Sequence, residues 1–74
     1  MAEGIKAFAT KDGFEIVGNR EGLLALADVC QRLAALPDDE DESRRLGNHY
    51  HFAPWMNNAD EDSIEFTILY SPGG

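Results

Sequence analysis

The amino-acid sequence predicts an α+β domain of order β-β-α-β-β, a four-stranded, antiparallel-rich sheet with one helix packed on one face. Three observations predict it. Near the start, Asp12-Gly13 separates two short apolar segments; one Asn-led stretch carries apolar residues at helical spacing; and the segment from Ser63 to Tyr70 alternates apolar and polar residues.

Ile5 to Thr10 and Phe14 to Val17 form the first pair of predicted strands. Asp-Gly between such segments signals a hairpin because both central turn positions need positive φ, so Asp12 and Gly13 are expected at the turn. Alternation then puts Ile5, Ala7, Ala9, Phe14 and Ile16 on one face, a floor on which a helix can lie. Lys6, Phe8, Thr10, Glu15 and Val17 take the other face, with Phe8 opposite Val17 as an apolar pair that has no evident core partner.

The helix is predicted from Asn19, a good N-cap, to the residues before Pro37, with Glu21 in the first turn where the helix dipole favours an acid. At helical spacing Leu33, Leu26, Cys30, Leu23, Ala34 and Ala27 share an arc of about 120°, the width of a core-facing stripe. Leu24, Val29 and Leu36 fall outside it. Cys30 in mid-stripe reads as a small buried hydrophobe rather than a nucleophile, which would need access and an activating base.

Residues 38 to 45 hold five consecutive acids, then Ser43, Arg44 and Arg45. The run is too charged to bury and too short to fold by itself, so an acidic surface loop is expected, with an electrostatic arm as its functional reading. The glycine and the ligand spacing of a calcium loop are missing. Asn48 to Phe52 and Ser63 to Tyr70 are the last two predicted strands, joined by an irregular connection over 53–62. Tyr50, Phe52, Ile64, Phe66, Ile68 and Tyr70 are expected to face inward, His49 and His51 outward, and residues 71–74 to form a flexible tail.

With 74 residues the chain is one domain, 1–74, and a chain this short leaves a thin stability margin that pairing with another molecule would widen. Its single cysteine excludes an intramolecular disulfide framework and fits a reducing cytoplasm. Residues 1–6 lack a basic, apolar leader, and no apolar run approaches the roughly 18 residues of a membrane span. The net charge is −8, unevenly placed: residues 1–36 hold five acids and four bases, residues 37–65 nine acids and two bases. Such a field repels nucleic acid and anionic membranes and steers basic proteins inward, although acidity also serves solubility alone.

His49 and His51 lie about 6.6 Å apart along one strand face, a spacing at which two imidazoles can share a zinc ion. The only further donors are Glu65 or the acids Asp60, Glu61 and Asp62, and nothing in the pattern fixes them there, so no metal is expected and His49, His51 and Glu65 are candidates only. Two-histidine phosphoesterases need a second His motif, which is missing. Ser43, Ser63 and Ser71 lack a nucleophile elbow, and no glycine-rich phosphate cradle occurs. A non-enzyme without cofactor is expected. Trp55, after Pro54, either caps the edge of the core or anchors an interface, and the cap is the simpler reading; Met56, Asn57 and Asn58 beside it suit adaptable contacts.

Gly18, Asn19, Gly22 and Leu23 at the helix start, an Ala/Leu-rich helix, His49 and His51 on a strand, and Ser63 and Glu65 opening the last strand occur in an order that resembles the Immunity protein 32 family of bacterial polymorphic toxin systems, over about residues 16–70. The resemblance implies a cytoplasmic antidote that binds a toxin domain, expected to be a basic one, and blocks it without chemistry of its own. The partner-binding set expected on that basis is the outer sheet face, Phe8, Val17, His49, His51, Glu65, Thr67 and Leu69, with Trp55 and a rim of Asp38, Asp39, Glu40, Asp41 and Glu42. Two other readings compete: a homodimer that pairs this face or the helix flanks with itself, and a metal-binding protein using the His-x-His strand.

Overall fold

Two antiparallel hairpins are held against one long helix in the computed structural model, which describes residues 4 to 73. The elements run β1 (Ile5–Thr10), β2 (Gly13–Gly18), α1 (Arg20–Ala34), α2 (Glu40–Arg45), β3 (His49–Phe52), a 3-10 turn (Pro54–Met56) and β4 (Phe66–Leu69). The fold is α+β, but the strands pair as two two-stranded sheets, β1–β2 and β3–β4, rather than as one four-stranded sheet. Residue 74 of the expected tail lies outside the described residues.

The first hairpin turns one residue earlier than expected. Thr10 pairs with Gly13, so Lys11 and Asp12 make the turn, and the positive φ falls on Gly13, at 155°. Each residue's partner therefore moves by two: Phe8 faces Glu15 and Val17 faces Lys6, and the expected Phe8–Val17 pair does not form. Because strand side chains alternate with period two, a shift of two leaves the facial assignment intact.

Asn19 joins this hairpin to α1. Its Oδ1 accepts from the Gly22 N–H at 2.8 Å as an N-cap and from the Gly4 N–H at 3.0 Å, while its own N–H donates to the Gly4 carbonyl at 2.9 Å. The first turn of α1 consequently lies directly on the start of β1. A Cβ on Gly22 would come within 2.6 Å of the Gly4 carbonyl carbon, so only glycine permits the approach.

This docking turns the helix. Gly22 and Val29 are its buried residues, with Leu26 and Leu33 packed beside them. At 100° per residue that row lies about 70° from the centre of the stripe expected from the sequence. Val29, expected outside the stripe, is in the core, and Cys30, expected inside it, is exposed. The core is small: Ile5 of β1, Val29 of α1 and Phe52 of β3, each under 5% exposed, with Phe66 stacked on Phe52 at a centroid distance of 4.8 Å.

Residues 60–64 stitch the two hairpins together along the edge of β1. The Asp60 N–H donates to the Ile5 carbonyl at 2.7 Å and the Ile64 N–H to the Ala7 carbonyl at 3.0 Å, while the Ala7 N–H donates to Ser63 Oγ at 2.9 Å. Lys6 pairs with Asp62 at 3.0 Å across the same seam, and its ammonium holds the Asp62 carboxyl below the usual carboxylate range. The segment bends back on itself, Ser63 N–H to Asp60 carbonyl, so it cannot continue a regular ladder. This bend shortens the last strand to Phe66–Leu69 and leaves Ile64, expected in the core, exposed.

The acidic run also differs from the expected loop. Asp39 caps α2 by accepting from the Glu42 N–H at 2.9 Å, the acids Glu40, Asp41 and Glu42 occupy its first turn, and Arg44 and Arg45 its last. Charges of that order oppose the helix dipole favourably, and the pairs Glu40–Arg44 (2.8 Å) and Glu42–Arg45 span neighbouring turns. Ser43 is fully buried, its Oγ donating to the Glu40 carbonyl at 3.0 Å within α2.

Helix propensity alone favours Gly22→Ala by about 1 kcal/mol. The clash with Gly4 reverses that sign: we expect Gly22→Ala to destabilise the chain by about 1–3 kcal/mol, read as a lower midpoint in urea unfolding. An unchanged or raised midpoint would refute the direct contact.

Candidate functional site

The outward face of β3–β4 gathers most of the residues that the sequence singles out. His49 pairs with Leu69 and His51 with Thr67, and alternation along β4 puts Glu65 on the same side. All of these side chains are exposed. The imidazoles meet edge to face at a centroid distance of 4.9 Å and an interplanar angle of 70°. His51 Nδ1 lies 2.8 Å from Thr67 Oγ1, and His49 Nδ1 lies 3.2 Å from Asn48 Oδ1.

Trp55 extends this row at the Glu65 end. It does not cap the core, as expected, but stands 71% exposed, its indole N–H donating to Glu65 Oε1 at 2.7 Å. Two features of the short loop hold it out. Pro54 starts a 3-10 turn that closes on Asn57, whose φ of 62° asparagine tolerates better than most residues. Asn58 then braces the turn: its Oδ1 accepts from the Ala53 N–H at 2.9 Å and its Nδ2 donates to the His51 carbonyl at 2.7 Å. Asn58, expected as an adaptable contact, is thus a structural staple.

At the opposite end, β4 meets the acidic segment. The Tyr70 hydroxyl donates to Asp38 Oδ1 at 2.8 Å, and the Tyr70 N–H to the Asn48 carbonyl at 2.8 Å. A cleft of about 300 Å³ here is lined by Glu40, Arg44, Asn48, Leu69 and Tyr70, so α2 adjoins the exposed face through Leu69. Of the five acids expected as a rim, Asp38 and Asp39 accept hydrogen bonds within the chain and Glu40 and Glu42 pair with arginines; all remain outside the core. Tyr70, expected to face inward, and Asn48, expected only to open a strand, thus tie β4 to the acidic segment and to β3 through partners far along the chain.

Phe8 and Val17 do not join this row. They belong to the other sheet, where the Lys6 ammonium lies 5.9 Å from the Phe8 ring centroid. For a metal, His49 and His51 are close enough, but Glu65 is engaged by Trp55, and among the described residues no group of three or more His, Cys, Asp or Glu side chains is placed to hold an ion.

Two measurements check this geometry. Asn58→Ala strips two braces from the loop and is expected to cost about 1–3 kcal/mol, whereas Trp55→Ala, at an exposed position, should stay within about 0.5 kcal/mol of the parent in urea unfolding. The Asp38 carboxylate raises the Tyr70 pKa above the ordinary phenol range by accepting its proton in a hydrogen bond. This contribution to stability is present below the unfolded-state phenol pKa and is lost as pH rises through the folded-state value. An NMR titration of Tyr70 should show late ionisation that Asp38→Asn moves earlier; identical curves would contradict the bond.

No helix among the described residues is long and apolar enough to cross a membrane. No curated protein and no solved structure matches the chain. The sequence profile of Immunity protein 32 matches residues 14–72, which takes in the Asn19 junction, the His-x-His strand and the Ser63–Glu65 seam. By that match over most of its length, the chain belongs to the Immunity protein 32 family.

Proposed function

We propose that this chain is a non-catalytic immunity protein that neutralises a toxin domain by covering it with the outward face of β3–β4. The observation that carries the reading is Trp55, a large aromatic held out into solvent by an Asn58-braced turn and oriented by Glu65. An exposed, conformationally fixed tryptophan loses little entropy on binding and is a preferred interface anchor. His51, Thr67, His49 and Leu69 continue the contact surface from Trp55 toward α2.

The charge supports a basic partner. Residues 37–65 contribute nine acids against two bases, and α2, which carries three of these acids, borders the proposed surface at Leu69. A field of that sign accelerates encounter with a basic surface, such as one shaped to hold nucleic acid, and sets the salt dependence of the on-rate. Family membership supports a toxin as the protein partner. Folded inside the cytoplasm, such a protein would meet its toxin there.

The test is co-expression with the toxin domain encoded beside this chain's gene, followed by calorimetry of the purified pair. Wild type should protect the host and bind one to one, with an on-rate that falls as salt rises. Trp55→Ala should weaken binding by about 2 kcal/mol, roughly thirtyfold, with the fold unchanged. Absence of both binding and protection would overturn the reading.

A further inference from the structure

We infer that the chain self-associates as a two-fold dimer through β2 and the adjoining flank of α1, a surface separate from the proposed toxin-binding face. The apolar stripe of α1 at Leu23, Ala27, Cys30 and Ala34 is exposed, because docking at Gly22 turns the helix away from it. Leu23 lies against Gly18, which makes this flank continuous with the face of β2 that carries Phe14 and Ile16. Both of those are exposed, Phe14 by 54%, although they share the side of the hairpin on which Ile5 and Ala7 are buried. The outer edge of β2 pairs with no other strand among the described residues.

The dimensions point to a second copy. The accessible surface is 5327 Å², against about 4,500 Å² for a folded monomer of this mass. The radius of gyration is 13.4 Å, against about 11 Å for a chain of this length. The excess of about 800 Å² belongs to the whole chain, of which the β2–α1 surface is a part, and is of the size that each partner contributes to a standard interface. Charge allows it: residues 1–36, which include β2 and α1, hold five acids and four bases, so the surface is nearly neutral while the remaining charge of the molecule lies elsewhere. A six-residue strand edge with an apolar face on one side can pair with its symmetry mate and bury that face in the same step.

Sedimentation of the full chain over a concentration series tests this. The wild type should be a dimer that tightens as salt screens the repulsion between two acidic copies, the opposite of the trend expected for a toxin complex. Phe14→Lys should weaken the dimer at least tenfold, while Trp55→Ala should leave it intact. Without any substitution, Cys30 should react with a thiol reagent more slowly as the chain is concentrated. A monomer up to roughly 0.1 mM, a dimer that Trp55→Ala dissolves, or one in which neither Phe14→Lys nor concentration changes the respective readout would overturn the inference. Should Phe14→Lys fail to fold, the Cys30 rates decide alone: concentration-independent rates count against it.

Discussion

The close approach of α1 to the start of β1 governs the arrangement of everything else. Asn19 holds it with three short hydrogen bonds, one closing the helix cap and two reaching Gly4, and Gly22 permits it by having no side chain. Backbone-to-backbone docking fixes the rotation of a helix about its axis as well as its position. Val29 is thereby aimed at Ile5 and Phe52, and the core can be built from three residues with their half-buried neighbours. The Gly-Asn-x-x-Gly spacing in the sequence is in this light a joint, not a binding motif.

A second seam relays that position to the exposed face. Residues 60–64 bond to β1 through two backbone carbonyls and Ser63 Oγ, and the chain then runs straight into Glu65 and β4. Glu65 orients Trp55, and Thr67 meets His51. The seam thus couples the hairpin that carries the first core residue to the exposed β3–β4 face. Ser63 and Glu65 sit two residues apart yet serve opposite ends of this relation, one half-buried and bonded to a strand, the other turned to solvent.

Charge divides the molecule as well. The acids of 38–42 are internally satisfied to a large degree, by an N-cap, a tyrosine hydroxyl and two arginines, so what they project outward is a long-range field more than vacant carboxylates. The nearly neutral first half instead presents apolar area that the single chain leaves uncovered. The two proposed surfaces differ accordingly: one would attract at a distance, the other gain only on contact.

The order of the four strands and the long helix, the Asn19 cap and the outward histidines were legible in the residues alone. All of these depend on the local periods of strand and helix, or on side chains bonding a few residues away. Contacts between segments far apart in the chain set the rotation of α1, the split into two small sheets and the exposure of Trp55. The helix was greasy on more than one flank, so its pattern was compatible with several rotations; the contact between Gly22 and Gly4, distant in the chain, chose among them. Trp55 likewise stands out because Asn58 and Glu65 hold it there, and the start of the acidic run is tied to the end of β4 by the Tyr70–Asp38 hydrogen bond. Long-range packing of this kind leaves no periodic trace in the residues that take part in it.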